Sequence, residues 1–193
     1  MSTSDAQYLP DDASVEGMRY FPLTSFLEEY ADREDGFKYE WNDGQIEKIP
    51  SINQEQSVIF FLLNRLFTQT AAYAAGGGIT TEIDMQTTEK QLRRPDITAF
   101  TGEQIASMKV GENQIAPWLA EVISKNDKIN RNLHKVDEYF KAGVQVVWHI
   151  FPDSKQVYVY TAPDEVKICR NEKICSAAPA FPDLSIAAGD LFV

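Results

Sequence analysis

The chain has 193 residues, a formal net charge of −11 and a pI near 4.6. That balance excludes the broad basic surface of proteins that bind nucleic acid nonspecifically. A 44% hydrophobic content suits one domain with a sizeable core, and the longest apolar run, around Val58 to Leu63, falls far short of the roughly 18 residues of a membrane span. The stretch up to about Pro22 mixes Ser, Asp, Pro and Gly without periodicity or the pattern of a signal peptide. The expectation is a loosely ordered arm over 1–22 and a single domain over 23–193, in a soluble, cytoplasmic protein. Charge is uneven: Lys90 to Lys141 carries nine Lys and Arg against seven Asp and Glu, a net of +2, which leaves −13 for the remainder. Two cysteines, Cys169 and Cys175, lie on either side of a polar turn, and in a cytosolic chain they are expected to be reduced.

In chain order, Thr24 to Tyr30 opens like a short capped helix with early acids. Phe37 to Trp41 alternates, Asn42-Asp43-Gly44 supplies a turn, and Gln45 to Ile49 returns, a hairpin signature. Ser51 to Tyr73 reads as the longest helix, with Val58, Ile59, Leu62, Leu63, Leu66 and Phe67 on one face, stopped by Gly76-Gly77-Gly78. Ile79 to Gln86 alternates as a strand. The segment after Pro95 makes the next, and Trp118 to Ser124 a third, reached through a polar loop from Thr101 to Pro117. Asp127 to Ala142 is helical with Ile129, Leu133, Val136 and Phe140 as its stripe, and Gly143 ends it. Val144 to Phe151 is a fourth apolar strand, with Gln156 to Tyr160 pairing after a turn. This order describes an α/β fold, a mixed β-sheet flanked by helices, with an N-terminal helix-hairpin extension.

Two acids stand in apolar surroundings. Glu121 interrupts Trp118-Leu119-Ala120-Glu121-Val122-Ile123, where an unpaired carboxylate costs several kcal/mol. Either a metal ion or a buried partner such as Arg93, Arg94 or Lys135 must neutralise it. Asp96 opens a buried strand in the same way, although its Pro-Asp dipeptide is equally a turn signature. Oxygen-only ligands with room for water suit Mg²⁺ or Mn²⁺ better than zinc, so His134 and His149 are expected to be structural or surface groups. Lys128, Arg131 and Lys135 recur at helical spacing. That edge can hold phosphates or steady a nucleophilic water, or it is an ordinary solvated helix face.

Taken together, Tyr39-Glu40 with Asp43-Gly44, Arg94-Pro95-Asp96, Glu121-Val122-Ile123-Ser124 with Asp127, Lys135, Tyr139, Gly143, Val147-Trp148 and Phe181-Pro182-Asp183-Leu184 resemble the Uma2 family of the PD-(D/E)XK nuclease superfamily. The likeness runs from about Phe26 to the C-terminus. It implies a restriction-endonuclease-like core in which Asp96, Glu121 and the Val122 carbonyl bind Mg²⁺ (or Mn²⁺). Ile123 stands where the superfamily places its lysine, so the resemblance makes Lys135 the candidate for that role and leaves Glu40 or Glu55 as the further carboxylate. The implied activity is metal-dependent hydrolysis of phosphodiester bonds in nucleic acid, DNA first, with Arg93, Arg94, Lys128 and Arg131 positioning the backbone and a homodimer to cut both strands. The alternative is a nuclease fold that no longer cleaves and serves as a binding or assembly module, favoured by the acidic composition and by Ile123.

Overall fold

The computed structural model describes residues 20–124 and 129–192, and of 129–131 only the backbone. From Tyr20 the chain lies against the first hairpin: the Phe21 amide donates to the Gly44 carbonyl at 2.9 Å and Tyr20 meets Trp41 edge-on. Helix α1 (Leu23–Glu29) starts one residue before the expected Thr24, with Pro22 at its N-cap and no side-chain cap, because a proline has no side-chain oxygen to accept from the first helical amides. Strands β1 (Phe37–Asn42) and β2 (Gln45–Pro50) form the expected hairpin. Its two-residue turn, Asp43-Gly44, has positive φ at both positions, 46° and 82°, which matches the twist of the flanking strands. A Cβ on Gly44 would meet the Tyr20 ring at 2.2 Å.

The long helix divides in two. Helix α2 (Gln54–Phe67) starts at a capping box between Asn53 and Gln56, and α3 (Ala71–Ala74) starts anew at Thr70, whose hydroxyl accepts from the Tyr73 amide. The strand expected over Ile79 to Gln86 also divides, into β3 (Gly78–Thr81) and β4 (Met85–Thr88), which belong to different sheets. Between them Glu82 takes a left-handed φ of 50°, and the chain changes direction. Strand β5 (Gln91–Arg93) follows in the second sheet, and Arg94 to Asp96 carries the chain back to β6 (Ile97–Phe100) in the first. The supposed loop after it holds helix α4 (Gly102–Met108), capped by Thr101 with Gln104, a Thr-x-x-Gln box legible in the sequence.

Strand β7 (Trp118–Val122), helix α5 (Ile129–Ala142) and β8 (Val146–Phe151) make a parallel β-α-β unit. β9 (Gln156–Ala162) and β10 (Glu165–Arg170) continue antiparallel, and β11 (Ile174–Ala177), β12 (Phe181–Ala187) and a 3₁₀ turn at Ala188–Phe192 close the chain. The main sheet has the order β10-β9-β8-β7-β6-β3, and a second sheet the order β2-β1-β5-β4. One face of the main sheet packs Trp118, Trp148 and Ile150 against Ile59, Leu63 and Phe67 of α2 and against the C-terminal Phe181, Leu184 and Leu191. The two tryptophans meet edge to face at 5.2 Å. The C-terminal segment therefore covers this face. Leu119 and Val147 on the opposite face pack against Val136 and Tyr139 of α5. Cys169 and Cys175 are buried free thiols. No helix of the described residues is long and apolar enough to cross a membrane.

Candidate active site

The site forms where the two sheets meet beneath α5. Side chains alternate along a strand, so Tyr39 and Trp41 of β1 enter an apolar cluster with Phe26 and Leu92, while Lys38 and Glu40 point the other way. A charged face of a hairpin is ordinarily wet. Here Lys38 is 3% exposed and Glu40 is fully buried, because β5, β7 and α5 cover that face with charge of their own.

Asp96 occupies the crossing from β5 to β6. Its Oδ2 accepts the Val122 amide at 2.7 Å, which ties it to the end of β7, and its Oδ1 accepts the Lys38 ammonium. Lys38 also donates to the Arg94 carbonyl at 2.9 Å. Glu121, on the α5 face of β7, accepts the Tyr139 hydroxyl on Oε1 at 2.6 Å and lies 3.5 Å from the Lys135 ammonium. Lys135 in turn donates to Glu40 Oε1 at 2.8 Å, and the Arg94 amide reaches the same oxygen at 3.2 Å. Arg93 is buried between carboxylates, 3.3 Å from Glu40, 3.4 Å from Glu47 and 2.6 Å from Glu138. It thereby neutralises Glu40 and Glu47, which stand directly opposite each other across β1 and β2. Lys135, Glu138 and Tyr139 all serve the cluster because i, i+3 and i+4 share one helix face.

The electrostatics follow from this interleaving. Burial alone would raise the Glu40 carboxyl, but Lys135, Arg93 and Lys38 bring it down to about 2. Burial likewise opposes ionisation of Glu121, and Lys135 and Lys38 outweigh it, so its pKa is lowered. Asp96 is held above its ordinary range by burial, with the neighbouring Glu121 charge adding to the rise and Lys38 opposing it. Burial works against the Lys38 ammonium, yet Asp96, Glu121 and Glu40 hold its pKa above the usual amine value. His149 faces Glu121 across the parallel β7–β8 pair and is 2% exposed. Its Nε2 finds no hydrogen-bond partner among the described residues, and burial pushes its pKa down to about 4.

Of the acids singled out in the sequence, Asp96, Glu121 and Glu40 converge, together with Lys135. Glu55 does not join them: it is exposed at the start of α2, in a shallow cleft with Asn53, Gln56, Val122, Ile123, Ser124 and Asp153. Helix α2 packs on the face of the main sheet opposite Glu121. Val122 enters the cluster through its amide. Ile123, 7% exposed, pairs its amide with the Ile150 carbonyl at 2.8 Å, and the ammonium groups come from Lys38 and Lys135 on other elements. Arg93 is enclosed by its three carboxylates. Arg94 pairs with Asp84, at 2.7 and 2.9 Å, and donates to the Ala31 carbonyl. Lys128 lies outside the described residues, as does the Arg131 side chain. Lys38, Glu138 and the Tyr139–Glu121 bond escape a sequence reading. For Lys38 the one available signal is that it shares a strand face with Glu40.

The larger surface hollow, lined by Glu55, Val58, Ile59, Pro152, Lys155, Leu191 and Phe192, holds none of the clustered acids. Among the described residues no three His, Cys, Asp or Glu side chains come together as a metal cage. Two carboxylates with carbonyl, water and substrate oxygens are the usual holding of Mg²⁺, and the ammonium beside Asp96 is a built-in stand-in for a cation. The residues fit a hard divalent ion on these grounds.

A comparison with curated proteins returns no match. Among solved structures, the chain is similar to the "crystal structure of a putative nuclease belonging to DUF820" from Anabaena variabilis, with 20% identity over 88% of this chain and 96% of that one and a TM-score of 0.73. That likeness shows the fold. A cryoEM structure of a DrdV–DNA complex shares 15% identity over 60% of this chain and 12% of its own, at a TM-score of 0.34, too low to speak for either shape. The family model of Uma2, described as "Putative restriction endonuclease", matches residues 25–189. With that span covering most of its length, and with the mixed sheets and flanking helices in place, the chain belongs to the Uma2 family.

Proposed function

We propose that this protein is a metal-dependent endonuclease that hydrolyses phosphodiester bonds of nucleic acid, DNA before RNA. One observation carries the reading: three carboxylates, Glu40, Asp96 and Glu121, and two ammonium groups, Lys38 and Lys135, are buried together at a junction of two sheets. Well-packed apolar side chains would serve stability as well or better, so such a concentration of charge calls for chemistry. Asp96, Glu121 and the Val122 carbonyl would hold Mg²⁺ or Mn²⁺, which when bound polarises a phosphate oxygen and lowers the pKa of a water.

The chain's own groups supply the rest. The Tyr139 hydroxyl holds Glu121 by one oxygen, and the other would serve a ligand. Glu40 anchors Lys135, whose ammonium would orient the attacking water or meet the charge that grows on the phosphoryl oxygens. Lys128 and Arg131, at and before the start of α5, are the residues we assign to the phosphate backbone. Cutting both strands at one place would call for a second copy, working in the cytoplasm.

Nicking of supercoiled plasmid with Mg²⁺ or Mn²⁺ tests the reading. Cleavage should vanish in EDTA and in folded Asp96→Asn and Glu121→Gln. Cleavage that survives both substitutions would sink it. A second reading, a binding or assembly module that no longer cuts, draws on the ion pairs of Lys38 with Asp96, Arg93 with Glu40, and Lys135 with Glu40 and Glu121. Tight nucleic-acid binding without cleavage under any divalent ion would favour it.

A further inference from the structure

Lys38 is the least expected member of the cluster. Its stem is buried, and its ammonium bonds to the Asp96 carboxylate and to the Arg94 carbonyl, close enough to Glu121 and Glu40 for both to act on its charge. Asp96 Oδ2 accepts the Val122 amide at 2.7 Å, which seats it beside Glu121, the preceding residue of β7. Two adjacent buried carboxylates need a positive charge between them, and a divalent ion and an ammonium cannot both take that place.

We propose that Lys38 is the internal counter-ion of Asp96 within this acid pair, holding that carboxylate in place without metal and competing with a divalent ion for it. The proposal rests on the reading of these two acids as metal ligands. The geometry gives Lys38 somewhere to go: Glu40 lies two residues along on the same face of β1, and a four-carbon stem lets the ammonium swing from one carboxylate to the other. Once displaced, it remains beside the site, within reach of a substrate phosphate. Lys38 thereby sets how readily the site loads, and it returns an ammonium to a centre whose family position, Ile123, carries none.

Mn²⁺ binding at pH 8, measured by titration calorimetry on the wild-type chain, Lys38→Met and Lys38→Gln, tests this. An opposite charge in contact shifts an ionic equilibrium by about one to three decades, so removing the ammonium should tighten Mn²⁺ binding by about tenfold or more. The folded variants should melt lower than wild type without Mn²⁺ and gain more on its addition. Variants that bind Mn²⁺ no more tightly than wild type overturn the proposal and leave the metal site standing. Absence of Mn²⁺ binding in wild type and variants alike overturns the metal reading and this inference with it. If neither variant folds, acetylation of wild-type lysines with an N-hydroxysuccinimide ester, mapped by mass spectrometry, decides: Mn²⁺ should raise labelling of Lys38 several-fold, and unchanged labelling refutes displacement.

Discussion

Glu40→Gln keeps the shape of a fully buried side chain and removes one charge from the centre of the cluster. In the folded protein burial opposes the Glu40 carboxylate, but Lys135, then Arg93 and Lys38, lower its pKa from 4.5 to about 2. That difference, at about 1.4 kcal/mol per unit, makes the ionised group worth roughly 3 kcal/mol. The sign is that of a depressed acid. The contribution is whole above pH 4.5 and is lost as pH falls through the folded value near 2. Urea unfolding followed by tryptophan fluorescence should therefore show the variant about 3 kcal/mol less stable than wild type at pH 7, and only about 1 kcal/mol less stable at pH 3. A penalty below about 1 kcal/mol at pH 7, or one that does not shrink at pH 3, would refute the argument that the surrounding cations set this carboxylate.

Two further outcomes follow from the same geometry. His149 is buried with a pKa lowered from 6.5 to about 4, so its neutral form is the one the fold accepts. Wild-type stability should fall relative to His149→Phe as pH drops from 6.5 to 4, by up to roughly 3 kcal/mol, and parallel pH profiles of the two proteins would count against it. Arg93→Met strands Glu40, Glu47 and Glu138 without their shared guanidinium. A loss of about 3 to 5 kcal/mol in urea unfolding is expected, and a loss under about 1 kcal/mol would show that Lys135 alone suffices for Glu40.

The two buried acids were legible because chemistry makes them conspicuous. A carboxylate among Trp118, Leu119, Ala120 and Val122 has no cheap explanation, and Asp96 follows the same logic. Lys135 was legible through its spacing along α5 and through the family likeness. Helix and strand boundaries were less so. Nothing in the alternation from Ile79 to Gln86 announces that Glu82 turns left-handed and sends one half of the run to another sheet. The Thr101 capping box was there to be read, but a polar stretch between two strands hid it.

From sequence alone came the class of fold, the family, and the two buried acids, all of which depend on local pattern and on the cost of charge in apolar surroundings. The second sheet decided the rest. Alternation along Phe37 to Trp41 separates Lys38 and Glu40 from Tyr39 and Trp41, yet it cannot say which face meets water. Only the packing of β1 against β5, β7 and α5 buries the charged face, because residues more than 50 positions away bring the countercharges that make its burial tolerable.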